Sequence, residues 1–140
     1  MSETWPFSVA TCIGPGFESL LKSLAASAIE LETSNPGLLE TAQWPADSFK
    51  QLANAGILGW VIPAECGGNG IPAQDLLAGY LRLAAACLTT TFILTQRNGA
   101  CQRIAASDNE PLKQELLPQL ARGELFATVG ISHLTTSRQH

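Results

Sequence analysis

Basic side chains are scarce in this chain. Eight Lys and Arg stand against twelve Asp and Glu in 140 residues, a net charge of −4 with neutral histidines. Nucleic-acid binding needs cations in number to displace the counterions around phosphates, so this balance excludes that class of partner. Charge of either sign is also low, at 14% of residues against about 25% in a typical soluble domain. Part of the surface is therefore expected to be covered by more chain, another subunit or a cofactor. No apolar run approaches the ~20 residues of a membrane helix. The opening MSETWPFSVATCIGPG has neither the basic start nor the apolar core of a secretory signal, which makes a cytoplasmic location the expectation. Only two histidines are present, and the four cysteines, Cys12, Cys66, Cys87 and Cys101, form no C-x-x-C pair. No metal site is expected, and the cysteines read as reduced thiols serving as small hydrophobes.

What is present is apolar residue at helical spacing, in a chain 46% hydrophobic. Residues 1–16 have no period and read as an extended lead-in. From Phe17, a stripe of Leu20, Leu21, Leu24, Ala28 and Leu31 predicts an amphipathic helix that stops before Pro36. A second helix is predicted over 45–55, with Pro45 in the first turn, Asp47 at the positive end and Gly56 as a left-handed stop. A third runs over 73–87 and carries leucines on more than one side. The threonines at 89–91 mark a break or cap before a helix to about 106. Asp108 or Asn109 then caps a helix that Pro118 interrupts and Gly123 closes. Residues 125–132 are rich in strand formers and read as a β-strand. With no second strand upstream, the chain reads as the front part of a larger protein.

The glycines at 59, 67, 68 and 70 raise the question of a phosphate loop. G-x-G-x-x-G spacing is absent, as is G-K-[ST], and no lysine lies between Lys50 and Lys113. A tight reversal between helices is the better account. Glu65 in that reversal has no paired carboxylate and reads as a loop residue. Trp5, Trp44 and Trp60 read as packing residues.

Two blocks carry a resemblance. Gly56, Gly59, Pro63, Glu65, Gly67, Gly68 and Gly70 fit G-L-x-G-x-x-x-P-x-E-x-G-G-x-G, and Leu117, Pro118, Leu120, Gly123 and Glu124 fit L-P-x-L-x-x-G-E. In this order and separation they resemble the amino-terminal helical domain of the acyl-CoA dehydrogenase family, over residue 17 to the end. The resemblance implies a mainly α fold: a helical domain over 17–123 and, over 124–140, the first strand of a truncated β-domain. It implies FAD as cofactor, an acyl-CoA or other small-molecule substrate, and a homo-oligomer for the complete protein. The family's catalytic base is a glutamate in a C-terminal domain that this chain lacks, so no catalytic residue is assigned. By the same resemblance Ile131 and Ser132 fall on the flavin side of the first strand, Ser137 falls near the acyl thioester, and Gln96 lies on a helix that borders the pocket. His133 and Leu134 replace the family's Glu-Pro pair, and Arg138 replaces its Asp. Three readings stay open: part of an acyl-CoA dehydrogenase, part of a flavin monooxygenase of the same fold, or a non-catalytic helical binding module.

Overall fold

The computed structural model describes residues 19, 21–23, 25–26 and 44–130. The lead-in at 1–16, most of the helix expected from Phe17 with its stop at Pro36, and residues 131–140 lie outside them. The described residues between 19 and 26 are helical, and Leu21 packs on the core.

Helix α1 spans Ala46–Asn54, with Pro45 just before it and Asp47 in its first turn. Phe49 and Leu52, one turn apart, are its buried apolar side chains, with Ser48 buried beside them. Gly56 then turns the chain with φ 72°, in the left-handed region that favours glycine. Two short 3-10 turns follow, Ile57–Gly59 and Ala64–Cys66. Helix α2 spans Ala73–Ala86 and starts directly after Pro72. One extended residue, Cys87 at φ −156° and ψ 99°, separates it from α3, Leu88–Ala105. The break thus falls ahead of the threonines, which lie inside α3. Thr91 Oγ1 donates to the Cys87 carbonyl at 2.9 Å and holds the joint from within.

Helix α4 spans Glu110–Arg122, and the Asn109 side chain caps it by accepting from Leu112 N at 3.1 Å. Pro118 does not interrupt this helix, contrary to the sequence-based expectation. A proline inside a helix removes one backbone bond, here to Gln114, and Gln114 is exposed. Leu117 and Leu120, at 0% and 2% exposure, anchor the helix into the core on either side of the proline. That burial outweighs the lost bond.

The expected strand over 125–132 is also corrected over its described part, 125–130; residues 131 and 132 lie outside the described residues. Among the described residues there is no strand, and residues 126–130 run without backbone pairing. Strand-forming side chains alone do not make a strand, since a ladder needs a second one. None is available among the described residues, so the segment lies on the helices instead. The regular structure of the described residues is therefore all helical. Two apolar clusters fill it: Phe49, Leu52, Ile57, Leu58, Trp60, Leu83 and Leu94 in one, and Ile62, Cys101, Leu117 and Leu120 in the other.

Candidate functional site

Start with the glycine-rich reversal. The amides of Gly67, Gly68, Asn69, Gly70 and Ile71 donate to Ala64 O, Pro63 O, Gly59 O, Ile62 O and Trp60 O, at 2.8–3.1 Å. A phosphate cradle needs such donors unpaired, and here the loop satisfies itself. It turns a corner, as its spacing predicts. Gly67 sits at φ 81°, and a Cβ on Gly68 would stand 2.1 Å from Ile62 O, so the two glycines serve different ends, a left-handed turn and a close backbone approach. Outside the loop lies a groove of about 460 Å³ bordered by Trp60, Pro63, Glu65, Asn69, Leu76 and Gln102. Glu65 is exposed there. Trp60 is a packing residue, 3% exposed, while Trp44 is 51% exposed and stacks on Phe49 with centroids 4.8 Å apart.

Helix α3 has two unlike sides. Its buried side carries Leu94, Arg97, Asn98 and Cys101, at spacings of three and four, all within 1% of full burial. Arg97 is the centre of this stripe. Its Nη1 donates to Leu58 O and to Asn98 Oδ1, each at 2.9 Å, and its Nη2 donates to Leu120 O. Its Nε has no partner among the described residues. Asn98 Nδ2 in turn donates to Tyr80 Oη at 2.6 Å, which brings in α2. No carboxylate joins this network among the described residues; the cation rests on carbonyl oxygens from both apolar clusters and caps the C-terminal end of α4, where the helix dipole favours positive charge. Burial lowers the Arg97 pKa from its ordinary value, with Cys101 and Tyr80 opposing the shift; the guanidinium stays charged. Burial likewise raises the Tyr80 phenol, against the Asn98 hydrogen bond, and raises the Cys101 thiol.

The outer side of α3 carries Leu88 and Phe92, 71% and 63% exposed, then Gln96 and Gly99 at the same helical spacing. Val129 lies over Gly99, its Cγ1 4.0 Å from where a Cβ would stand. Gln96 is half-buried, and its side chain has no hydrogen-bond partner among the described residues. Ile131, Ser132 and Ser137 lie outside the described residues, so the structure does not place them beside Gln96. The wall is apolar with one carboxamide, which suits an acyl chain or a ring with one polar atom to orient. It fits a flavin or acyl group only in that part. The described loop amides are engaged and Arg97 is enclosed, so a pyrophosphate finds no holder among these residues.

The sequence reading assigns no site role to Arg97, Asn98 or Tyr80. The signal was there: Leu94, Arg97, Asn98 and Cys101 hold the spacing of a buried stripe, with polar residues at its two middle positions.

The described residues thus form a helical layer with an apolar outer wall on α3. Residues 21–124 match the family model of the acyl-CoA dehydrogenase N-terminal domain, and the chain belongs to the acyl-CoA dehydrogenase family. It is 30% identical over 108 residues to an acryloyl-CoA reductase (NADH) of Anaerotignum propionicum, covering 76% of this chain and 27% of that protein. It is 29% identical over 105 residues to a 3-sulfinopropanoyl-CoA desulfinase of Advenella mimigardefordensis, covering 69% and 26%. A short-chain specific acyl-CoA dehydrogenase of Clostridium acetobutylicum shares 29% over 94 residues, covering 66% and 25%. The chain thus spans about a quarter of the length of these curated relatives. No solved structure matches it at comparable significance. No helix among the described residues is long and apolar enough to cross a membrane.

Proposed function

We propose that this chain supplies the N-terminal helical wall of an FAD-dependent oxidoreductase that acts on an acyl-CoA thioester by α,β-dehydrogenation. The observation that carries the reading is the family match over residues 21–124. The names of the three relatives support the substrate class, since each acts on a CoA thioester although their reactions differ. In this reading FAD, when bound, supplies the hydride acceptor. The chain's own residues bind and orient. Leu88 and Phe92 cover the acyl chain and exclude water, Gln96 hydrogen-bonds the ligand, and Ile131, Ser132 and Ser137 line the flavin and thioester. In this reading the proton-abstracting glutamate and most of the FAD walls come from elements other than these, because a cofactor site needs walls from several elements.

The test is the visible spectrum of the gene product isolated from its own cells, followed by anaerobic titration with acyl-CoA thioesters. A flavin band that bleaches as thioester is added is the expected result. A colourless product that binds no thioester overturns the reading. In the active protein, Gln96→Ala is expected to raise KM more than it lowers kcat.

A further inference from the structure

Two adjacent residues of α3, Arg97 and Asn98, tie it to three different elements. Arg97 Nη1 reaches Leu58 O in the reversal, its Nη2 reaches Leu120 O in α4, and Asn98 Nδ2 reaches Tyr80 Oη in α2. Arg97 Nη1 also donates to Asn98 Oδ1, so the carboxamide is held at both of its polar atoms. Tyr80 is a firm anchor. Its neighbour Gly79 is buried, and a Cβ there would stand 2.6 Å from the Trp60 ring, so α2 is pressed close on the reversal. A cation and a carboxamide in an apolar core cost more to bury than two apolar side chains of similar volume. What they supply instead is direction. Apolar surfaces slide over one another, whereas hydrogen bonds to three elements admit one orientation of the helix.

We propose that Asn98, anchored by Tyr80, is a positioning residue for the outer side of α3. The inference rests on the reading above, in which that side borders an acyl-CoA thioester. Asn98 is buried and touches no ligand itself. It fixes how far α3 is turned about its axis, and Leu88, Phe92 and Gln96 ride on that turn. Side-chain tips lie about 5–6 Å from a helix axis, so a turn of about 10° carries the Gln96 carboxamide through about 1 Å. Misplacement by about 1 Å costs a bound reactant up to about a hundredfold. Gln96 is the sensitive member of the wall, because a hydrogen bond weakens steeply with distance and angle. Leu88 and Phe92 cover by contact, which tolerates a small shift.

The test uses the gene product isolated from its own cells, with butanoyl-CoA as probe, a short acyl thioester like those in the relatives' names. Tyr80→Phe keeps the ring and deletes the acceptor. It is expected to raise KM roughly three- to tenfold while kcat stays within about twofold. Asn98→Ser breaks the same tie from the α3 side and is expected to give the same split, so either variant decides if the other fails to fold. The effect passes through Gln96, so in a Gln96→Ala background Tyr80→Phe is expected to leave KM where it was. A residue that only stabilises the core would lower the denaturant midpoint and leave the KM of the folded protein unchanged. An unchanged KM in the folded variants overturns the proposal, and so does an equal rise with and without Gln96. A wild-type product whose flavin never bleaches overturns the flavin reading together with this inference. One that bleaches normally while Tyr80→Phe keeps its KM overturns this inference alone.

Discussion

Two segments of this protein follow a left-handed glycine, and they are held by opposite means. After Gly56 the reversal to Ile71 is stitched by its own backbone, with Asn69 N to Gly59 O at 2.8 Å and Gly70 N to Ile62 O at 2.9 Å. After Gly123, at φ 75°, residues 126–130 have no backbone bond among the described residues and are held by Phe126, Ala127 and Val129. A loop closed by backbone bonds depends on where glycine stands. A segment closed by side chains depends on which rings and methyls it carries. The first kind is legible as a motif, the second only as a propensity.

The comparison breaks first at Gly68. A Cβ there would stand 2.1 Å from Ile62 O, a backbone atom that cannot step aside. Gly68→Ala is expected to lose about 3 kcal/mol or more, read as a lowered denaturant midpoint at unchanged slope. Next is Arg97, whose Nη1 reaches the reversal at Leu58 O while Nη2 reaches α4 just ahead of Gly123. Arg97→Met leaves buried carbonyls without donors and is expected to destabilise by roughly 2–4 kcal/mol in the same assay. Gly67→Ala sharpens the comparison. The site has φ 81° and open space, so only left-handed strain is added, about 1–2 kcal/mol. An equal loss at positions 67 and 68 would mean that close approach plays no part.

On the other segment, effects are smaller. Phe126→Ala removes two edge-on ring contacts from a half-exposed side chain, about 0.5–1 kcal/mol. Its clearer signature is a changed Trp44 emission and faster amide exchange over 126–130. Smallest is Glu124, which accepts from Arg122 Nε and Nη2 at 2.7 and 2.8 Å. The Arg122 hydrogen bond holds its carboxyl below the ordinary value. A depressed folded pKa stabilises above the unfolded carboxylate range and ceases to do so as pH falls through the folded value. Glu124→Gln is therefore expected to lower the midpoint slightly at neutral pH and not at all in acid.

The helices were legible because Leu, Ala and Phe recur at their spacing, and Gly56 and Gly123 stand where left-handed stops are needed. The family was legible because the first motif block is mostly glycine and proline, whose geometry is local, and the second sets Pro118 and Gly123 beside Leu117 and Leu120. Pro118 misled because propensity counts the lost bond and not the burial of Leu117 and Leu120. The strand misled because Phe126, Val129 and Ile131 announce an extended course while pairing depends on a partner. Arg97 was hidden because a polar residue on a helix reads as solvent-facing until its distant partners, 39 and 23 residues away, are known. The residues expected beside the flavin, 131 and 132, and beside the thioester, 137, rest on resemblance alone.

Those separations give Arg97 a kinetic meaning. Its hydrogen bonds to the reversal and to α4 form only when both have reached α3, and until then its charge must be stripped of water without replacement. The interaction is thus expected to be absent from the folding transition state and present only on the native side of it. Replacing Arg97 would leave the folding rate nearly unchanged and quicken unfolding. The buried cation then governs how long each folded molecule lasts rather than how quickly it is made.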